Sequence, residues 1–386
     1  MNVICFDLPN CNFNNLISLH QAGHTVYIIT QGDTSCLASQ GITVLSDLGG
    51  ADNIKPDNLH EIRQLVENLE IDVMIVTLPT LGFLHTEFSS TLTYIGPSEE
   101  ASRLETNRLF TKQIVYNSKV KTPEILHRCL GSEFDSTLWP KPLIIKPVSE
   151  WQSAVIVLDG QDDLLSDYFS KTLEHEIYVE EFISDKIETN VFFVIVNGGF
   201  VITHTQHITG EDRNKTIGQG REWYYDTHIQ PLTPDADQIV RRQAKLLLAE
   251  VAKLGGCYEG SLCGFLTSKS DWYLCEINVR PDIQNSVPTV LDGDNWLTAM
   301  TSDIDLIRPQ QLIKVIPTLS DPSLVSTERY PMELHDKYEV YPPSSLTSDN
   351  LTQSGSCMVV STDRLAMDAY VSELESTTNF KVNRPY

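Results

Sequence analysis

The first hundred residues constrain the fold most, because apolar runs and helical patterns alternate there with little chain between them. Val3-Ile4-Cys5-Phe6 is a continuous apolar run that reads as a buried strand; apolar positions recur at helical spacing over 14–22, Gly23 can end that helix, and 25–30 resumes as strand. A second helical pattern over 58–68 precedes Asp72-Val73-Met74-Ile75-Val76-Thr77, again a buried strand. Strands separated by helices run parallel in one sheet with helices on its faces, so the chain opens as a layered α/β unit. The first loop, Asp7-Leu8-Pro9-Asn10-Cys11-Asn12, has no glycine. The dinucleotide fingerprint is therefore missing, which argues against a nicotinamide enzyme.

Beyond Ile95-Gly96-Pro97 a polar helix is expected over 99–117, ending near Thr122-Pro123, where proline resists helix. Pro142-Leu143-Ile144-Ile145-Lys146-Pro147 is a short apolar strand closing on a lysine; strands over 154–158 and 177–183 flank a helix over 162–171. Residues 191–196 and 200–204 form a hairpin across Asn197-Gly198-Gly199, and a long amphipathic helix over 235–254 is closed by Gly255-Gly256. From about 304 a smaller, strand-rich tail carries one late helix over 363–374.

Between these lies Trp272-Tyr273-Leu274-Cys275-Glu276-Ile277-Asn278-Val279-Arg280. Side chains of a strand alternate, so Glu276, Asn278 and Arg280 share one face and Cys275, Ile277 and Val279 the other. The pattern alone allows two readings. One is an edge strand with a solvated polar face. The other is a metal–phosphate site, since carboxylate and amide oxygens suit Mg²⁺ and a guanidinium can hold a phosphate or carboxylate through paired hydrogen bonds.

Composition narrows the function classes. A chain of 386 residues has room for about two to three domains. Its net charge of -24 opposes nucleic acid and anionic membranes as partners and leaves small molecules and proteins. A local basic pocket for a nucleotide survives this argument, because phosphates respond most to the nearest charges. The eight cysteines form no CxxC pair, which argues against a zinc module or a disulfide-stapled domain and fits a reducing cytoplasm. No segment approaches the ~20 apolar residues of a membrane span.

Read in order, these segments resemble the ATP-grasp ligases. Leu104-Glu105-Thr106-Asn107-Arg108-Leu109-Phe110-Thr111-Lys112 followed by Val120-Lys121-Thr122-Pro123 is similar to the family's linker helix, where a basic residue at the position of Arg108 touches the nucleotide phosphates. Lys146 resembles the second phosphate-contacting lysine, and Tyr178-Val179-Glu180-Glu181-Phe182-Ile183 the hinge strand that hydrogen-bonds adenine. In that likeness the backbone between Glu181 and Ile183 reads the base, Glu180 takes its amino group, and Glu188 falls on the ribose-binding acid. Glu276 and Asn278 fall on the metal-ligand pair for Mg²⁺ or Mn²⁺, and Arg280 on the group that holds the transferred phosphoryl or the substrate carboxylate. Within the superfamily, Ile95-Gly96-Pro97-Ser98, the 104–112 run, the 276–280 strand and the tail over 355–370 most resemble glycinamide ribonucleotide synthetases.

The resemblance implies an α/β (α+β ATP-grasp) architecture. It comprises a parallel-sheet N-terminal domain over 1–98, a two-lobed core over 99–303 with a lid at about 123–184, and a strand-rich C-terminal domain over 304–386. It implies ATP-dependent joining of a carboxylate, such as a small amino acid, to an amine through an acyl phosphate. A homodimer is common among comparable folds. The alternative is a homologue that keeps ATP without turning it over and acts as a regulatory or structural partner. That reading rests on Pro147-Val148-Ser149-Glu150-Trp151-Gln152-Ser153-Ala154, which lacks the glycines that let a flap lay its backbone over phosphates. Pro281-Asp282-Ile283-Gln284-Asn285-Ser286, the first loop and the segment 206–222 also depart from the family pattern, which points to a changed substrate pair.

Several residues also have plainer readings. Lys146 alone could be a solvated strand-end lysine, and Arg108 a solvated helix arginine. His204 and His207 lack a third ligand and read as surface-loop residues. Trp223-Tyr224-Tyr225 reads as packing, and Cys263 and Cys275 as buried core thiols.

Overall fold

The computed structural model describes residues 1–6, 13–30, 37–38, 40–45, 50–135, 138–140, 142–149, 155–157, 174–184, 186–210, 227–230, 232–280 and 293–307, with three short strands beyond. The helices expected over 162–171 and 363–374, the first loop at 7–12, Trp223-Tyr224-Tyr225 and the 281–286 segment lie outside the described residues.

The opening α/β unit is as expected. Strands β1 (Asn2–Phe6), β2 (Thr25–Ile29), β3 (Thr43–Val44), β4 (Val73–Val76) and β5 (Thr93–Pro97) pair in parallel in the order β3-β2-β1-β4-β5. Alternate residues of β1 serve two layers. Val3 and Cys5 pack with Leu16 and Leu19 of the helix Phe13–Gln21, and Ile4 and Phe6 with Ile62 of the helix Leu59–Asn68. Burial of both faces explains why these strands read as unbroken apolar runs.

A second, four-stranded antiparallel sheet has the order β6-β9-β7-β8, from β6 (Ile125–Leu130), β7 (Leu143–Pro147), β8 (Val155–Val157) and β9 (Glu176–Glu180). The large sheet then resumes with β10 (Lys186–Val196), β11 (Gly199–Gly210), β12 (Thr227–Gln230), β13 (Gly256–Thr267) and β14 (Trp272–Asn278), all antiparallel to their neighbours. Asn197 and Gly198 both take positive φ in the β10–β11 turn, the twist-matching geometry the Asn-Gly pair provides. One face of this half, with Val191, Phe193, Leu262, Leu274 and Ile277, packs on the helices Arg108–Ser118 and Pro234–Val251. Strands β15 (Gln311–Val315), β16 (Glu339–Tyr341) and β17 (Cys357–Ser361) form a separate three-stranded antiparallel sheet, in keeping with the strand-rich tail.

Three local expectations are corrected. The helix over 99–117 is two helices, Glu99–Thr106 and Arg108–Ser118, because Asn107 leaves the helical region and its side chain accepts a hydrogen bond from the Phe110 amide at 3.1 Å. An asparagine that caps a new helix interrupts the old one. The strand over 177–183 ends at Glu180. The β14 alternation is broken by a bulge: Cys263 pairs with Glu276 but Gly264 with Leu274, so Cys275 is the extra residue. Trp272 and Leu274 therefore share the helix-facing layer with Ile277 and Val279, and Cys275 leaves the apolar face assigned to it.

The two halves of the large sheet join where Gly256 pairs with Pro97 and Cys257 with Gly96. Gly256 has φ +95°, and a Cβ there would lie 2.6 Å from both the Gly96 oxygen and the Ser98 nitrogen. Gly256→Ala is therefore expected to lower the free energy of unfolding by ~2 kcal/mol or more, read by denaturant titration; an unchanged midpoint would contradict this account of the junction.

Candidate functional site

Three charged side chains meet between the small sheet and the helix Arg108–Ser118. Glu180, at the end of β9, has no exposed surface; its Oε1 lies 2.5 Å from the Lys146 Nζ and its Oε2 2.9 Å from the Lys112 Nζ. Lys146 comes from β7, the strand next to β9, and Lys112 from the helix. Lys112 also donates to the Thr122 hydroxyl at 2.7 Å and to the Pro123 carbonyl at 2.6 Å. Burial alone would raise the Glu180 pKa, but the two ammonium groups hold it below the ordinary carboxylate range. Burial likewise disfavours the Lys146 ammonium, and Glu180 more than reverses this, so its pKa is raised. Lys112 is left with a lowered pKa by burial, and the like charge of Lys146 adds to the effect. Two cations share one carboxylate, which leaves net positive charge in a buried place.

This triad borders an open cleft of ≈ 360 Å³ whose walls include Arg108, Lys112, Tyr178, Cys275 and Glu276. Arg108 donates from Nη1 to the Pro147 carbonyl and from its backbone amide to the Val148 carbonyl, both at 3.0 Å, fixing the base of the segment after Lys146. The bulge turns Cys275 toward the lysines; burial pushes its thiol up to about 12, so it is no ready nucleophile. Across the strands, Cys263 stands opposite Glu276 and Ser261 opposite Asn278. Asn278 donates to the Ser261 hydroxyl at 3.1 Å and to the Cys263 sulfur at 3.6 Å, while its buried Oδ1 has no hydrogen-bond partner among the described residues. Glu276 is exposed on the same face. An exposed carboxylate beside an unpartnered amide oxygen suits a hard divalent cation that completes its shell with phosphate and water oxygens. Among the described residues no three His, Cys, Asp or Glu side chains cluster as a self-contained metal site.

The remaining expected residues divide. Arg280 is held by Glu105 of the helix Glu99–Thr106: its Nε donates to Oε1 at 2.7 Å, and the other carboxylate oxygen accepts from the Val279 amide at 3.1 Å. Glu181 is engaged by Glu124, whose carbonyl accepts from the Glu181 amide at 3.0 Å and whose amide donates to Oε1 at 3.2 Å. Phe182 carries the Lys186 Nζ 4.4 Å from its ring centroid, Ile183 is buried, and Glu188 is half-buried on β10.

Some readings change. Lys146 is a buried ion-pair partner and no solvated strand end, and both Glu180 oxygens are occupied by lysines. His204 and His207 lie on β11 and not in a surface loop; His204 is buried and stacks on Phe192 with ring centroids 4.2 Å apart. Cys263 and Cys275 are half-buried beside polar groups. Lys112 and Glu105 are the residues that pattern reading passed over. The signal for Lys112 was its place four residues after Arg108, one turn along the same helix face.

Glu180→Gln should leave two buried ammonium groups without their carboxylate and cost ~3 kcal/mol or more of stability near neutral pH. The Glu180 pKa is lowered by folding, so its contribution is present above the ordinary glutamate pKa of ~4.3 and is lost as pH falls through the lowered folded value. Chemical denaturation across that range is expected to show the wild-type advantage shrinking in acid; a difference independent of pH would contradict it.

No protein-family model and no curated protein matches the sequence. Solved structures do match at low identity. The biotin carboxylase–β,γ-ATP complex from Campylobacter jejuni aligns with TM-score 0.65 and 13% identity over 99% of this chain and 92% of that one. The N5-carboxyaminoimidazole synthetase–ADP complex from Staphylococcus aureus aligns with TM-score 0.63 and 14% identity over 98% of each. The enzyme from Aspergillus clavatus with ADP and 5-aminoimidazole ribonucleotide gives 0.62 and 15% over 97% of each. The chain has the ATP-grasp fold.

Proposed function

We propose that the chain is an ATP-dependent, ADP-forming carboxylate–amine ligase that works through an acyl phosphate. The buried Lys112–Glu180–Lys146 triad carries this reading, because its net positive charge borders the cleft that Glu276 also lines. In it, Lys112, Lys146 and Arg108 receive the phosphates, the backbone over 181–183 receives the adenine, and Glu188 the ribose. Glu276 and Asn278 would hold Mg²⁺ or Mn²⁺, which supplies charge neutralisation at the phosphates. Arg280, oriented by Glu105, faces the transferred phosphoryl group or the substrate carboxylate.

The chemistry asks for positioning more than for a covalent protein group. A carboxylate oxygen bonds to the γ-phosphorus as the bridging bond to ADP breaks. An amine nitrogen then bonds to the acyl carbon, phosphate leaves with the carbon–oxygen electron pair, and the nitrogen loses a proton. The names of the structural relatives, carboxylases and carboxyamino-synthetases, fit attachment of a carboxyl carbon to nitrogen. The sequence likeness to glycinamide ribonucleotide synthetases favours a small amino acid as the carboxylate. The proposed arrangement is an N-terminal domain over 1–98, a core over 99–303 and a C-terminal domain over 304–386, with a homodimer compatible.

The glycine-free 147–154 segment favours one other reading, an ATP-binding partner protein without turnover. Phosphate release across a panel of amino acids and amines separates the two: silence throughout, with ATP bound, would support the partner. For the ligase, Glu276→Ala is expected to abolish ADP formation while nucleotide binding persists, and wild-type turnover in that variant would defeat the metal-ligand role. Lys112→Met should weaken ATP binding by roughly tenfold or more in equilibrium titration; an unchanged affinity would remove Lys112 from the phosphate site.

A further inference from the structure

In the β10–β14 half of the large sheet, the face opposite the helices Arg108–Ser118 and Pro234–Val251 carries polar side chains in two rows across four strands. In the first, Glu276 pairs with Cys263, Cys263 with Asn190, and Asn190 with Gln206; in the second, Asn278 leads through Ser261 and Phe192 to His204. Directly paired residues point to the same side, so the two rows lie side by side across about 14 Å, three inter-strand steps of ~4.8 Å, and the first begins at Glu276 of the cleft wall. Asn190, His204 and Gln206 are 3%, 2% and 0% exposed. Yet Asn190 Oδ1, His204 Nε2 and both amide atoms of Gln206 have no hydrogen-bond partner among the described residues. Buried polar groups are almost always paired, so a concentration of unpaired ones in one row marks a place shaped for something other than the chain's own stability. The apolar alternative was sterically open, since the same face continues through Val194 and Val196 into a packed apolar cluster.

The geometry points to Asn190, His204 and Gln206 as the bed for the amine co-substrate, which it takes as an uncharged nitrogen group bearing N–H donors. This rests on the ligase reading above. Asn190 and Gln206 offer amide oxygens to N–H groups, and no acid stands among the three to hold an ammonium. His204 is also uncharged, with burial and then Arg241 pushing its pKa down to about 3. Among the described residues the nearest acids on this face, Glu188 two positions along β10 and Glu276 two strands away, are not directly paired with any of the three, so a buried ammonium would lack an adjacent carboxylate. The requirement agrees with the chemistry, because an amine attacks an acyl phosphate only as its free base.

The test uses the full chain with Mg²⁺ and a non-hydrolysable ATP analogue. Acetamide and benzamide, against acetate and benzoate, serve as probes in saturation-transfer NMR. Gln206→Met and Asn190→Leu are expected to weaken amide binding by about tenfold or more and to leave unchanged any binding of the acids of the same shape, which belongs at Arg280. Both variants should also raise the melting temperature of the free protein, since each removes an unpaired buried polar group; a group with a structural role would lower it. Carboxylate binding that is weakened by Gln206→Met and Asn190→Leu as much as amide binding, amide binding unchanged in both variants, or bound nucleotide with no amide response would each overturn the inference alone. Failure of the nucleotide to bind would bring down the ligase reading and this inference with it.

Discussion

One fully buried carboxylate, Glu180, organises the charged heart of this protein. Lys146 reaches it from the neighbouring strand of the small sheet and Lys112 from a helix packed against the large one, so the triad ties two separate sheets together. None of the three could be buried alone, because an isolated ion in a low-dielectric interior costs several kcal/mol even after relaxation. Together they are tolerable but unbalanced. The leftover positive charge makes the place electrostatically complementary to phosphate, and the same desolvation that burdens the lysines would strengthen their attraction for it.

The large sheet divides its labour by face. From β10 to β14, the side against the helices Arg108–Ser118 and Pro234–Val251 carries an apolar cluster that supplies the packing. The other side carries Glu276, Asn278, Asn190, Gln206 and His204, with several of their polar atoms unpaired. The bulge at Cys275 lets one strand serve both needs. It keeps Trp272 and Leu274 in register with Ile277 and Val279 on the core side while giving the cleft an additional side chain. Gly264 opposite the bulge makes room for the Trp272 indole, since a Cβ there would lie 2.6 Å from its Nε1. Among the described residues no helix is long and apolar enough to cross a membrane.

Much of the fold was legible because its signals are local. The parallel unit over β1 to β5, the Asn197-Gly198 hairpin and the long helix closed by Gly255-Gly256 follow from periodicity and from glycine or asparagine in left-handed turns. Errors arose where a side chain's partner lies far along the chain. Asn107 ended a helix through its own cap, a signal obscured by helix-forming neighbours on both sides. His204 looked like a loop residue because nothing near it in sequence shows that Phe192 covers it.

By itself, the sequence determined the layered α/β class, the strand that presents Glu276 and Asn278, and the succession of basic and acidic residues that resembles an ATP-grasp ligase. Only the tertiary structure decided which charges meet. It chose Lys112 as the second cation on Glu180, gave Arg280 to Glu105, and lined up Asn190 with Gln206 and Cys263. Periodicity reports on which face a residue lies, but ion pairing and cross-strand register depend on contacts between segments tens to more than a hundred residues apart.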